Sequence, residues 1–219
     1  MSFRAVVFDL DGTLIDSRGD IALACNAMLR GLGLPELPLA LVSSFVGDGA
    51  RLLVARALEL PLEHEEVTRD LEMFLDYYEA HPVVETTVLP GVDAACAALA
   101  GIPLGICTNK PRRTTDAVLR ALGWTERFDA VVAGGDTREK KPHPEPLLLI
   151  ASELGVAAHE LIMIGDGPQD IEAGRAVGAF TVGVRGGILA EERLLASRPD
   201  RLLNDLTEFP ALARELGSI

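Results

Sequence analysis

Lysine is nearly absent from this chain. Of 20 basic residues only three, Lys110, Lys140 and Lys141, are not arginine, and 33 acids leave a net charge of −13. An acidic excess of this size argues against nonspecific attraction to nucleic acid or to an anionic membrane, since both need a basic face. No apolar run approaches the roughly 18 residues of a membrane-spanning helix. Neither a basic tail nor a secretory signal is read. One Trp, two Tyr and seven Phe make the core aliphatic. The three cysteines, Cys25, Cys96 and Cys107, form no C-x-x-C pair, and each lies among apolar neighbours. That pattern reads as buried free thiols in a reducing, cytoplasmic setting.

What is present has a clear rhythm. Short apolar runs at 5–8, 102–107, 128–134, 161–165 and 180–184 read as strands, with helical patterns over 92–100, 112–122, 144–154 and 169–177. Strands alternating with helices predict an α/β fold, a Rossmann-like parallel sheet covered on both faces. The stretch from Ser17 to His81 breaks this rhythm and carries only helix-like periodicity. Ser17 and Asp20 resemble a capping box opening its first helix. The expected organisation is an α/β core formed by 1–16 and 83–219, with a small helical cap, 17–82, inserted after the first strand. Pro82 and Pro90 bracket the return to the core.

Ligands of open α/β sheets collect at the carboxyl ends of the strands, so the residues following each strand carry the functional reading. After the first strand come Asp9, Leu10, Asp11, Gly12 and Thr13. Thr108, Asn109 and Lys110 follow the second, and Lys140 and Lys141 lie beyond the third. Asp166 follows the fourth, with Asp170 four residues on. Each piece has an ordinary reading: "DGT" as a turn, Thr108 and Asn109 as helix caps, "KKPHP" as an exposed loop, "GDGPQD" as a glycine-rich turn. Their arrival in order after successive strands favours a shared site. Three acids and a lysine suit Mg²⁺ and a phosphoryl group, because hard Mg²⁺ prefers carboxylate oxygens. The metal offsets the repulsion between Asp9 and Asp11. A carboxylate can attack phosphorus once the dianion is neutralised, and a second acid can serve the leaving oxygen and then water.

These residues resemble the four motifs of the haloacid-dehalogenase-like superfamily of phosphohydrolases, from the first strand to about Arg185. The resemblance implies Asp9 as nucleophile, Asp11 as general acid/base, Thr108 as phosphate ligand and Lys141 as the motif lysine. It implies Mg²⁺ held by Asp166, by the Asp9 side chain and by the Asp11 backbone carbonyl, with Asp170 as the second acid of the fourth motif. Asn109 is expected to donate to the phosphoryl group. Within the superfamily the chain is most similar to bacterial phosphoglycolate phosphatases, in "FVGDGARLLVARAL", "LPGV", "GIPLGICTNKP" and "GGDTREKKPHPEPLLLIASELG". That implies hydrolysis of 2-phosphoglycolate to glycolate and phosphate. It also implies a cap specificity loop at Gly47, Asp48 and Gly49, with Arg51 as partner for the substrate carboxylate. The chain departs from its relatives at Gly167 and Gln169, where they commonly carry Ser and Asn.

Other readings are narrowed by particular residues. Asp11 argues against a dehalogenase, which has no use for an acid there. The absence of lysine from 17–81 argues against a phosphonate hydrolase working through a cap Schiff base. A β-phosphoglucomutase, a pyrophosphatase or a nucleotidase remains open, although only Phe45, Phe74, Tyr77 and Tyr78 could stack on a base in the cap. A non-catalytic module binding a phosphorylated metabolite conflicts with the joint presence of Asp9, Asp11, Lys141 and Asp166. The expected partner is a small phosphorylated metabolite, with the chain a monomer or homodimer.

Overall fold

Ala5–Phe8 (β1) is fully buried at every residue. Its apolar side chains alternate between the two faces of a sheet, Val6 and Phe8 entering one core cluster, Ala5 and Val7 the other. The structure, a computed structural model, describes residues 3–188 and 191–216. After β1 come a short strand, Ile15–Asp16 (β2), and four helices: Arg18–Gly31 (α1), Leu39–Ser43 (α2), Ala50–Ala57 (α3) and Glu65–Ala80 (α4). Thr87–Val88 (β3) pairs antiparallel with β2, making a two-stranded ribbon at the base of the helical segment. The chain then alternates through Val92–Ala98 (α5), Leu104–Pro111 (β4), Arg112–Ala121 (α6), Ala130–Gly134 (β5) and Glu145–Glu153 (α7). Leu161–Gly165 (β6), Pro168–Ala176 (α8), Phe180–Val184 (β7), Glu191–Ser197 (α9), Arg201–Leu203 (β8) and Phe209–Leu216 (α10) complete it.

The six-stranded sheet runs β5-β4-β1-β6-β7-β8, and every pairing in it is parallel. From β1 the chain builds outward through β4 and β5, then returns to the other side of β1 for β6. The strand order therefore reverses at β1, and the crevice opened by that reversal lies at its carboxyl end. Asp9 stands there. Its backbone N–H donates to the Ile164 carbonyl of β6 at 2.8 Å.

Two local expectations are corrected. The strand read as 102–107 runs on to Pro111, so Thr108, Asn109 and Lys110 are strand residues with a register shift after Cys107. Ser17 and Asp20 form no capping box. Ser17 Oγ donates to Asp11 Oδ1 at 2.6 Å instead. The Asp20 carboxylate accepts from the backbone N–H groups of Val84, Glu85 and Thr86 and from the Thr86 hydroxyl. This buried acid sees four donors on the returning chain and ties the start of α1 to it. Cys25 and Cys107 are buried, with thiols pushed by burial to about 11 and about 12, while Cys96 is half-buried. No helix among the described residues is long and apolar enough to cross a membrane.

Candidate active site

The sheet edge and the helical segment border a partly open cavity. Asp9, Asp11, Thr108, Asn109, Lys110, Lys141, Asp166, Gln169 and Asp170 line it from the sheet side; Val46, Gly47, Gly49, Leu53, Phe74 and Tyr78 line it from the helical side. Asp9, Asp166 and Asp170 each offer an oxygen within 4.8 Å of the others. The Asp11 carboxylate turns elsewhere, to Lys110 and Ser17.

Lys141 is buried among these acids. Its Nζ lies 3.0 Å from Asp9 Oδ1 and 2.5 Å from Asp170 Oδ1, and donates to the Cys107 carbonyl at 2.5 Å. Burial alone would lower this ammonium's pKa, but Asp170 and Asp9 outweigh it and hold Lys141 above the usual lysine range. Burial pushes the Asp9 carboxyl up to about 6; Lys141 opposes that shift, while Asp170 and Asp11 reinforce it. Asp9 Oδ1 accepts no hydrogen bond from any described residue, despite its ion-pair distance to Lys141. A buried anionic oxygen that takes only an ion pair, beside two further carboxylates, fits a hard divalent cation.

Asp166 is fixed by its surroundings: Oδ2 accepts the Ile188 N–H at 2.8 Å, and the Thr13 hydroxyl lies 3.4 Å from Oδ1. Gly12, with φ at +87°, passes so close that any Cβ there would strike the Asp166 carboxylate. Asp170 accepts the Gly167 N–H at 3.1 Å, closing the turn that opens α8.

The loop at Gly47–Gly49 is one of the ties between the helical side and the sheet side. Asn109 Nδ2 donates to the Gly47 carbonyl and to the Lys141 carbonyl, and its Oδ1 accepts the Lys141 N–H. The Asn109 side chain thus links three segments rather than offering its amide to a phosphoryl group. Gln169 Nε2 donates to Asp48 Oδ1 at 2.8 Å, and Lys140 Nζ donates to the Asp48 carbonyl at 2.9 Å. Gln169 thereby holds the Asp48 loop. Asp48 itself does not line the cavity; its carboxylate also meets Arg56 at 3.0 Å.

Arg51 is not brought to the cavity. Its guanidinium donates twice to the Leu62 carbonyl, at 3.2 and 3.1 Å, closing the segment after α3. The expectation of a carboxylate partner there is corrected, because α3 turns this side chain away from the sheet edge. The residues the sequence reading left without a role are Lys110 and Tyr78. Lys110 Nζ lies 3.1 Å from both Asp11 oxygens and donates to Tyr78 Oη at 2.6 Å. Burial would lower the Lys110 ammonium, but Asp11 and Tyr78 reverse that. Burial pushes the Tyr78 phenol up to about 12. The scarcity of lysine and the position after a strand pointed to Lys110; the contact with Tyr78 joins positions 32 residues apart, which no local pattern announces.

Comparison with known proteins gives a consistent result. The sequence profile of haloacid dehalogenase-like hydrolases matches residues 3–178. A phosphoglycolate phosphatase of Yersinia pestis is 39% identical over 217 residues, covering 96% of this chain and 94% of that protein. An N-acetylmuramic acid 6-phosphate phosphatase of Pseudomonas aeruginosa is 39% identical over 194 residues, covering 88% and 86%. Among solved structures, that of a predicted phosphoglycolate phosphatase from Haemophilus somnus superposes with a TM-score of 0.88 at 29% identity, covering 97% and 98%.

Proposed function

The chain belongs to the haloacid dehalogenase-like hydrolases, and from that premise we propose that it is a Mg²⁺-dependent phosphomonoesterase whose best substrate is 2-phosphoglycolate. The observation that carries the reading is Asp9: a half-buried carboxylate at the strand-order reversal, beside Lys141, Asp166 and Asp170, with a buried Oδ1 that accepts no hydrogen bond among the described residues. In this reading residues 17–82 form a cap over the core, closed at the Gly47–Gly49 loop, and the ribbon of β2 and β3 is its base.

Asp9, Asp166 and Asp170 would hold Mg²⁺, together with the Asp11 backbone carbonyl. When bound, the ion supplies positive charge against the phosphoryl oxygens. Lys141 supplies a second positive charge and keeps Asp9 ionised and aimed. The Thr108 hydroxyl, whose oxygen accepts the Lys110 N–H at 3.2 Å, keeps its hydrogen for a phosphoryl oxygen. Asp9 attacks phosphorus, and the bond to the leaving oxygen breaks as Asp11 delivers a proton to it. Asp11 then takes a proton from water as that water attacks the phosphorus of the aspartyl phosphate, returning Asp9 and releasing phosphate. The closed Gly47–Gly49 loop keeps bulk water from the intermediate.

The choice of substrate is supported by the relatives' printed names. The Pseudomonas relative supports a second reading, a larger sugar-acid phosphate. Phosphate release should be measured with Mg²⁺ across phosphoglycolate, N-acetylmuramic acid 6-phosphate, sugar phosphates, nucleoside monophosphates and pyrophosphate. We expect kcat/KM for phosphoglycolate to exceed the rest by about tenfold or more. A higher value for N-acetylmuramic acid 6-phosphate would overturn the substrate assignment and leave the chemistry at Asp9 intact.

A further inference from the structure

Two cations line the cavity among the described residues, Lys110 and Lys141. Lys141 is committed to the phosphoryl end by its contacts with Asp9 and Asp170. Lys110 is not. It enters from the last part of β4 with its side chain 3% exposed, and its Nζ meets the Asp11 carboxylate and Tyr78 Oη and lies 4.2 Å from the centre of the Tyr78 ring. The other basic groups nearby are engaged elsewhere: Arg51 with Leu62, Arg56 with Asp48 and Phe45, Lys140 with Asp48.

We propose that Lys110 and Tyr78 together recognise a carboxylate carried on the substrate's leaving group, with the Asp11 carboxylate occupying that position in the substrate-free protein. This rests on the phosphomonoesterase reading above and assigns the group that selects its substrate class. The donors suit the ligand. Lys110 has a full positive charge with three hydrogens, and it already holds a carboxylate through both oxygens. Tyr78 Oη accepts from Lys110, which leaves the phenolic hydrogen to donate to an incoming carboxylate oxygen. Tyr78 is held by an edge-on contact with Phe74, ring centres 5.9 Å apart, so its hydroxyl is positioned before substrate arrives. Tyr78 belongs to α4 and Lys110 to β4, so the two donors meet only where the helical segment lies against the sheet. An uncharged alcohol on the leaving group would leave a buried ammonium without a new partner, and a site of this kind discriminates strongly.

Binding without turnover isolates this selection. Calorimetry in Mg²⁺ buffer on the Asp9→Asn protein should compare phosphoglycolate with 2-hydroxyethyl phosphate, which lacks the carboxylate, with and without Lys110→Met. We expect a preference for phosphoglycolate of about 100-fold, as a charge-assisted pair warrants, falling to within a fewfold of unity in Lys110→Met. Tyr78→Phe, which keeps the buried ring, should reduce the same ratio by about tenfold, and it serves if Lys110→Met does not fold. An unchanged ratio in the variants overturns the proposal even if both affinities fall, because general damage moves both ligands together. The lack of any preference in the parent protein overturns it as well. Hydrolysis of 2-hydroxyethyl phosphate by the unmodified protein reports on the phosphomonoesterase reading separately.

Discussion

Asp9→Asn is expected to lower phosphate release by roughly 10⁴-fold or more, since removing a covalent nucleophile leaves only the binding and electrostatic parts of the site. The same substitution is expected to stabilise the protein in chelator. Asp9 has its folded-state pKa raised from 3.8 to about 6, chiefly by burial. The folded state therefore holds this proton more tightly than the unfolded state. The stabilising contribution of the protonated form is fully present below pH 3.8 and is lost as pH rises through 6. An asparagine carries no charge to bury, so its advantage over Asp9 should be absent near pH 4 and should grow up to about pH 7. Thermal melts across that range, in chelator and alongside activity, check both halves. An Asp9→Asn protein that keeps its turnover would remove Asp9 from the chemistry, and one destabilised equally at pH 4 and pH 7 would contradict its electrostatic setting.

Lys141→Met should produce the largest loss of stability at this site. Lys141 is 4% exposed and lies within 3.0 Å of two carboxylates. Removing it leaves Asp9 and Asp170 as uncompensated buried charges, which costs about 3–5 kcal/mol. For a chain of this size that corresponds to a drop in Tm of roughly 6–20 °C in chelator. Mg²⁺ should recover part of the loss in the variant, because a cation bound to the folded state alone shifts the equilibrium toward it. Denaturation with and without Mg²⁺ measures this. A loss below about 1 kcal/mol, or one that Mg²⁺ leaves unchanged, would show that the acids are not organised around positive charge.

The sheet and its edge were legible in the sequence because their signals are local. The strand Ala5–Phe8 is a run of buried residues closed by an acid, and the helices at 112–121, 145–153 and 168–176 fall within a residue or two of their predicted spans. Asp9, Thr108, Lys141, Asp166 and Asp170 could be grouped from the sequence, and line one cavity, because strand ends in a parallel sheet converge on one edge. What escaped depended on long-range contacts or on weak local pattern. The strand Arg201–Leu203 is three residues long with an exposed first residue, and the ribbon of Ile15–Asp16 with Thr87–Val88 is two residues deep, too short for any periodicity. Ser17 and Asp20 have the spacing of a capping box, yet Asp11 and the 84–86 backbone compete for them and win. Arg51 sits near the Gly47–Gly49 loop in sequence and faces Leu62 in space. The lysine scarcity told more than expected: two of the three lysines, Lys110 and Lys141, are buried in the cavity wall, and Lys140 fastens the Asp48 loop.

The central claim is that Asp9 becomes phosphorylated during turnover. The most direct measurement is a single-turnover reaction with excess enzyme, quenched in acid, treated with borohydride and mapped by peptide mass spectrometry. An acyl phosphate reduced by hydride leaves an alcohol in place of the carboxyl. Homoserine is expected at position 9, only when phosphoglycolate and Mg²⁺ are both present, and none at Asp11, Asp166 or Asp170. Modification at one of those acids instead, or phosphate released with position 9 untouched, would contradict it.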